Sequence, residues 1–268
     1  MTEIERIASY LDPLRLDDWK YTPETGSTND DALAWADAGA GDWSLICADS
    51  QTAGRGRGKR RWVTLPGTAL AFSLVLRPTQ AETSVFPRFT ALAALGLVQA
   101  LGSLGLQGQI KWPNDILLNQ KKVAGVLVEA SWQGTNAEAV VIGLGVNITP
   151  DGVPAPETTR YPAASVGREL GRDVDRWALL FDILKNMQSL RKDLAGQDFL
   201  NRWNEHLAFK NQWVNFRMQG KDPQRFKVLG VKSDSQLSLL MEDGSMITAA
   251  AGEILPENGT KQRYWDDD

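Results

Sequence analysis

Gln51-Thr52-Ala53-Gly54-Arg55-Gly56-Arg57-Gly58-Lys59-Arg60-Arg61-Trp62 is a loop rich in glycine and cations, set between two strand-like runs at 43–50 and 68–77. Five of the seven residues from Arg55 to Arg61 are cations, and the interleaved glycines let the backbone approach a ligand closely. Such a loop favours a polyanion. Its spacing is not that of a phosphate-binding P-loop, because Ala53 stands at the first glycine position and Arg60 where a Ser or Thr would hold magnesium. Nor is it a Rossmann fingerprint, since the glycines alternate with single residues and a Trp-containing strand follows in place of a helix. Two common nucleotide motifs are thus excluded. Taken alone, the loop also fits a solvated basic hairpin or an arginine–glycine segment that contacts RNA.

Outward from the loop, helical and strand-like patterns alternate. Ser27 is placed to cap a helix over 29–38, with Asp30 and Asp31 in the first turn, where they complement the helix dipole. The runs 43–50 and 68–77 carry the β-branched and large apolar residues of strands. Beyond them the pattern predicts a helix over 84–104, a short strand over 109–111, and strands over 115–119, 123–131 and 137–148 joined by turns short enough for antiparallel pairing. Residues 149–162 hold four prolines and little apolar content, and read as a connection. Helices over 163–170, 175–194 and 197–206 follow, the second with Trp177, Leu180, Phe181, Leu184 and Met187 at helical spacing. From Gln212 onward short alternating strands take over, with Asp243-Gly244 as a hairpin turn. The expected fold class is α+β: a sheet with helices over 1–208 and a small β-barrel over 209–268.

Composition narrows the function. At 268 residues and 43% hydrophobic the chain can bury one sizeable core and a smaller module. A net charge of -4 gives no global attraction to phosphate backbones or anionic membranes. The single Cys47 and single His206 exclude a disulfide framework, a Cys/His zinc site and the usual Ser-His or Cys-His nucleophilic arrangements. The first twenty residues lack the apolar run of a secretory signal, so cytoplasmic residence is expected. The uncharged stretch 90–110 contains four glycines and three glutamines between Gly96 and Gln109, which favours a buried helix over a membrane span.

Two further segments concentrate chemistry. Lys111-Trp112-Pro113-Asn114-Asp115 places a lysine at the end of an apolar strand where a tight turn reverses the chain; partial burial would make its ammonium a strong point charge beside a substrate anion, while exposure would make it an ordinary surface charge. Lys122-Val123-Ala124-Gly125-Val126-Leu127-Val128-Glu129 and, on the next strand, Gly143-Leu144-Gly145-Val146-Asn147 carry glycines inside strands, which mark close approach by a ligand or simple sheet packing.

Taken in order, Gly26-Ser27-Thr28-Asn29, the 51–62 loop, Lys111 to Asp115, Ala124 to Glu129 and Gly143 to Asn147 resemble the catalytic domain of biotin–protein ligases. The C-terminal strands, ending in Ala251-Gly252-Glu253-Ile254, are similar to that family's SH3-like barrel. The resemblance implies a class II synthetase-like fold with a mixed, mainly antiparallel sheet flanked by helices. It implies a ligase that adenylates biotin with ATP, with Mg2+ bound largely through the phosphates, and transfers the biotin to a lysine on the carboxyl carrier domain of a carboxylase. Ser27, Thr28 and Gln51 would contact the ureido ring or neighbouring parts of biotin, with Asn29 close by, since hydroxyl and amide groups donate and accept together. Gly125 would leave room for the fused rings, and Asn147 would lie near the adenine. Arg55, Gly56, Arg57 and Trp62 belong to the loop that would close over biotinyl-adenylate. Lys111 and Arg57 are the expected catalytic cations.

Gly58-Lys59 departs from the family's loop pattern, in which a variable residue and then a glycine follow the second arginine. About twenty residues precede the first family motif, too few for the helix-turn-helix of bifunctional members, so specific DNA recognition and repression are not expected. A monomer and a homodimer are both compatible with the sequence. Three other readings stand beside the ligase: a lipoate–protein ligase-like enzyme, a non-catalytic biotin or adenylate sensor, and an RNA-binding module. Lys-Trp-Pro-Asn-Asp after the glycine–arginine loop favours biotin, the retained cations oppose the sensor, and an acidic chain without an aromatic-rich basic sheet opposes RNA.

Overall fold

The computed structural model describes residues 1–255 apart from Lys59, Val63, Arg160 and Gln219, and leaves aside the side chain of Glu157. In chain order the elements are α1 (Glu3–Leu11), β1 (Trp19–Thr25), α2 (Thr28–Asp37), β2 (Ser44–Gln51), β3 (Ala69–Leu76), α3 (Gln80–Thr83), α4 (Arg88–Ser103), β4 (Gln109–Lys111), β5 (Asp115–Leu118), β6 (Lys121–Gln133) and β7 (Asn136–Asn147). There follow α5 (Val166–Leu170), α6 (Arg176–Arg191), α7 (Gln197–Glu205) and the strands β8 (Trp213–Arg217), β9 (Gln224–Val231), β10 (Leu237–Leu240), β11 (Met246–Ala249) and β12 (Glu253–Leu255).

The first seven strands form one sheet in the order β1-β2-β3-β7-β6-β5-β4. β1 runs parallel to β2, and the other neighbours pair antiparallel, so the sheet is mixed and mainly antiparallel as expected. Paired residues on adjacent strands share a face, and that alternation sorts the chemistry. Leu70, Phe72 and Leu74 of β3, opposite Val146, Leu144 and Ile142 of β7, join the main core with residues of α4 and α6. The opposite face, represented by Val75, Ile46 and Val141, packs on Ala32 and Ala36 of α2. Near the open end of this second face, small residues replace large ones and the ligand cavity begins.

The sequence pattern misses two elements. Helix α1 begins with a capping box, in which Glu5 N donates to the Thr2 hydroxyl and Thr2 N to the Glu5 carboxylate. It docks on the start of α6 through Arg6–Asp175 at 2.8 Å and Glu3–Arg176 at 2.9 Å, and buries Ile7 and Leu11. Strand β1 contains Pro23 and sits at the sheet edge, where a missing N–H costs least. Helix boundaries also shift. The helix expected from 84 starts at Arg88 because Pro87 occupies its N-cap, and a separate turn, α3, precedes it. Ser27 does hold the N-cap position of α2, but its side chain makes no cap bond.

Strands β8 to β12 form a five-stranded antiparallel sheet in the order β11-β10-β9-β8-β12, the small C-terminal β unit that was expected. Its apolar face continues the main core: Trp112 stacks 6.2 Å from Phe216 and donates through Nε1 to Ser235 O at 3.3 Å. Arg88, buried in α4, donates to Leu194 O, Gly196 O and Ser233 O, tying helix, loop and second sheet together. Among the described residues no helix is long and apolar enough to cross a membrane.

Candidate active site

A cavity of about 560 Å³ opens where the small-residue face of the main sheet meets the N-terminus of α2, the 54–62 loop and the edge of the second sheet. Its floor follows from strand register. Lys111 pairs with Asp115, Asp115 with Gly125, Gly125 with Gly145, and Gly145 with Ala71. Directly paired residues point the same way, so a lysine, a carboxylate and two glycines form one row across β4, β5, β6 and β7. The row has a charged end and a bare end. A Cβ at Gly145 would collide with the Trp62 indole, and one at Gly125 would meet Lys122 Nζ at 3.3 Å and the Trp62 ring at 3.5 Å. These glycines therefore mark close approach, here by the Trp62 indole and the Lys122 side chain packed over the strands.

At the charged end, Asp115 accepts from Lys111 at 3.2 Å through Oδ2 and from Lys122 at 2.6 Å through Oδ1. Lys111 is 2% exposed, so of the two alternatives for this lysine the structure has the buried one. Burial alone would push the Asp115 carboxyl up, but Lys122 and then Lys111 hold it below the usual carboxylate range. Two ammoniums share one carboxylate, so the cluster keeps a net positive charge facing the cavity. Lys122 and Asp115 were not singled out as cations or counter-ions by the sequence reading, although both lie inside the motifs it quoted.

At the other end lies a polar network. Thr28 donates to Gln51 Oε1 through its backbone N at 2.9 Å and its hydroxyl at 3.1 Å, while Gln51 Nε2 donates to Thr64 Oγ1 at 3.2 Å. Ser73 donates to Asn29 Oδ1 at 2.6 Å, and its hydroxyl oxygen lies 2.8 Å from Thr28 Oγ1. Asn29 then donates to Glu129 at 2.8 Å. Ser27, Thr28, Asn29 and Gln51 all line the cavity, as does Gly143, whose missing Cβ makes room for the Asn29 amide.

The cationic loop differs from expectation in one respect: the protein itself supplies counter-charges to several of its arginines. Arg55 forms a bidentate contact with Glu129 at 2.8 and 2.6 Å and reaches Asp30 at 2.6 Å. The hydrogen bond to Glu129 raises the Arg55 pKa most, against the opposing effect of burial. Arg60 pairs with Glu253 of the second sheet at 2.9 Å, and Arg61 donates to Thr52 O at 3.0 Å. Arg57 is different. It lines the cavity, makes no ion pair among the described residues, and has its pKa lowered by withdrawal from solvent and by the neighbouring Arg60. Gly56 also lines the cavity, donating to Arg60 O at 2.6 Å, and Trp62 lies over the glycine floor with its indole N–H buried and unpartnered among the described residues. Lys59, where the loop departs from the family pattern, lies outside the described residues.

The structure thus brings together Ser27, Thr28, Asn29, Gln51, Arg55, Gly56, Arg57, Trp62, Lys111 and Gly125 around one cavity. Asn147 stands apart. It is buried at the end of β7 with its amide donated to Ala164 O at 3.0 Å, and it does not line this cavity.

This motif set matches known proteins in the same region. The profile of the biotin/lipoate A/B protein ligase family matches residues 24–147, the stretch from β1 to the end of β7 that builds the floor, the polar end and the loop. The biotin–[acetyl-CoA-carboxylase] ligase of Mycobacterium tuberculosis is 31% identical over 207 residues, covering 66% of this chain and 76% of that protein. The chain belongs to the biotin/lipoate A/B protein ligase family. Another relative, the bifunctional ligase/repressor BirA of Bacillus spizizenii, is 34% identical over 180 residues, which cover 67% of this chain; they span 55% of that protein's length. Among solved structures, the biotin protein ligase from Aquifex aeolicus in complex with biotin and ATP aligns with a TM-score of 0.75 and 26% identity, covering 89% of this chain and 98% of that one. The family fold therefore extends past the profile match into the second sheet, which supplies Arg217, Gly252 and Glu253 to the cavity wall. That contribution was not visible from the sequence, because it depends on how the second sheet docks.

Proposed function

We propose that this protein is a biotin–protein ligase, which joins biotin to AMP and then transfers the biotin to a lysine of a biotin carboxyl carrier domain of a carboxylase. The observation that carries the reading is the shared row, in which a net-positive cluster of buried Lys111 and Asp115 with half-buried Lys122 stands at the end of a glycine floor whose other side meets hydrogen-bonding groups of Ser27, Thr28 and Gln51. Support comes from the relative in Mycobacterium tuberculosis, named for the same reaction, and from the Aquifex aeolicus neighbour, which holds biotin and ATP.

In the first step a biotin carboxylate oxygen bonds to the α-phosphorus of ATP, the bond from that phosphorus to the bridging oxygen breaks, and pyrophosphate leaves. Both reactants are anions, and no side-chain nucleophile is needed. Acceleration rests on holding the two in line and on cations fixed where negative charge concentrates. Lys111, Lys122 and Arg57 are suited to that role, because each lines the cavity and Arg57 makes no ion pair among the described residues. Thr28 and Gln51 offer a mixed donor and acceptor edge for the ureido group, and Trp62 forms the ceiling over the floor glycines. The described side chains do not build a dedicated magnesium site: both Asp115 oxygens are engaged by lysines, and Glu253 is engaged by Arg60. Magnesium is accordingly assigned to the triphosphate, with which it would enter.

In the second step the acceptor lysine nitrogen bonds to the biotinyl carbonyl carbon, the bond from that carbon to the phosphate oxygen breaks, and AMP leaves as the amine gives up a proton. Exclusion of water by the 54–62 loop would protect the mixed anhydride. The deciding experiment is release of pyrophosphate from ATP by the purified chain in the presence of biotin, lipoate or neither. Biotin-dependent release supports the assignment; release with lipoate alone would make it a lipoate ligase, and tight binding of biotin without release would make it a sensor.

A further inference from the structure

The proline-rich stretch between β7 and α5 reads from sequence as a plain connection, yet its last residues lie along the start of β6. Lys122 N donates to Pro162 O at 2.7 Å and Ala164 N donates to Lys122 O at 2.9 Å. This lateral pairing brings the Tyr161 ring to 4.7 Å from Lys111 Nζ. We propose that Tyr161 is a positioning residue for Lys111, holding its ammonium by the face of an aromatic ring so that the charge stays available to a substrate phosphate. The inference rests on the reading of Lys111 as a cation for adenylation.

The argument is one of charge arithmetic. Asp115 divides its two oxygens between Lys111 and Lys122, and the shorter contact, 2.6 Å against 3.2 Å, goes to Lys122. Lys111 is therefore a buried ammonium that shares its counter-ion, and a further contact helps to hold it in place. A second carboxylate would satisfy the ammonium, but it would bring the cluster to neutrality and remove the field that a phosphate needs. A ring attracts the cation through its quadrupole and adds no charge. The phenol also stays neutral at working pH, since burial and the nearby Asp115 push it up to about 12. Tyr161 thus fixes Lys111 without cancelling it.

The test uses the full chain, two kinds of substitution at 161 and two readouts: biotin-dependent pyrophosphate release, and calorimetric affinity for inorganic pyrophosphate. Tyr161→Phe keeps the ring and should hold kcat within about twofold, whereas Tyr161→Leu should lose about tenfold, within the range of a desolvated cation–π contact. The biotin KM should move less than about twofold in both, because the contact acts on the cation and not on the biotin pocket. Phenylalanines carrying successive ring fluorines at position 161 should lower kcat stepwise, since fluorination drains the negative ring face while keeping its shape. Equal kcat for Leu and Phe, or no trend with fluorination, overturns the proposal. If Tyr161→Leu fails to fold, the fluorinated series decides. If the parent chain releases no pyrophosphate with biotin, the adenylation reading fails separately. Inorganic pyrophosphate then decides the Tyr161 role, with weaker binding by Leu than by Phe supporting it and equal binding refuting it.

Discussion

Replacing Lys111 by Met removes the ammonium at the charged end of the row while keeping most of the side chain's bulk. The Lys111–Lys122–Asp115 cluster holds two ammoniums and one carboxylate, a sum of +1, and the substitution takes it to 0. In a preorganised, water-poor site the loss of one contact that stabilises developing charge raises the barrier by about 2.7–4 kcal/mol, so biotin-dependent pyrophosphate release should slow by roughly 10²–10³. Stability should suffer far less. Breaking a buried ion pair costs about 3–5 kcal/mol when a charge is left alone, but Asp115 keeps Lys122 at 2.6 Å. With the volume conserved, a loss of about 1–2 kcal/mol is expected. Steady-state pyrophosphate release and urea unfolding, run on the same preparation, separate the two quantities. A variant that unfolds like the parent and still releases pyrophosphate at near-parent rates would refute the role of Lys111, and with it the reading of the row. A variant that loses several kcal/mol would instead show that Lys122 does not compensate.

Three other outcomes are expected. Arg57→Gly removes a loop cation that lines the cavity and makes no ion pair among the described residues; it should raise labelling of bystander lysines by escaped biotinyl-adenylate while biotin affinity changes little, as read by acceptor-free biotinylation of a carrier protein, and an unchanged leak would remove the gating role of the loop. Hydrogen exchange should find the amides of Gly56 and Trp62 protected in the free protein, since they donate to Arg60 O and Gly54 O, whereas Arg57 and Gly58 should slow on addition of biotin and ATP; equal protection with and without ligand would contradict ligand-coupled closure. Asp115, Asp175, Glu82 and Glu3 all have folded-state pKa values below their ordinary ones. Their stabilising contribution is complete above the unfolded value near about 4 and is lost as pH falls through the depressed folded values, so urea midpoints should drop as pH falls from about 5 toward 3; a flat profile would show that these pairs add nothing.

Local signals carried much of this architecture, and nonlocal geometry accounts for what they missed. Strand boundaries from β2 to β7 were legible because alternation and turn residues are encoded within each segment. The parallel pairing of β1 with β2 was not, since Trp19 and Leu45 become partners only once α2 has crossed over. Helix α1 does carry a local signal, the capping box of Thr2 and Glu5. Lys111 was identified from its motif, but its partners came from register: Asp115 sits opposite it in the β4–β5 hairpin, and Lys122 arrives from β6. Glu129, at the end of a family motif, and Asp30, in the first turn of α2, hold Arg55 without any local hint of their target. Asn147 shows the reverse case, a motif residue whose amide is spent on Ala164 O.

The shared row also sets where the chain tolerates added length. Lys111, Asp115, Gly125 and Gly145 face one way because three successive strand pairings keep step. One residue inserted between Trp112 and Asn114 would slip that step and turn Asp115 toward the apolar side, since strand side chains alternate with a period of two. The opposite tip of the β6–β7 hairpin, at Gly134 and Thr135, is exposed and remote from the row, and Gly134 already has a positive φ of 61°. A peptide tag or a fused domain belongs at that tip, whereas the turn at Pro113 acts as a reading frame for the chemistry.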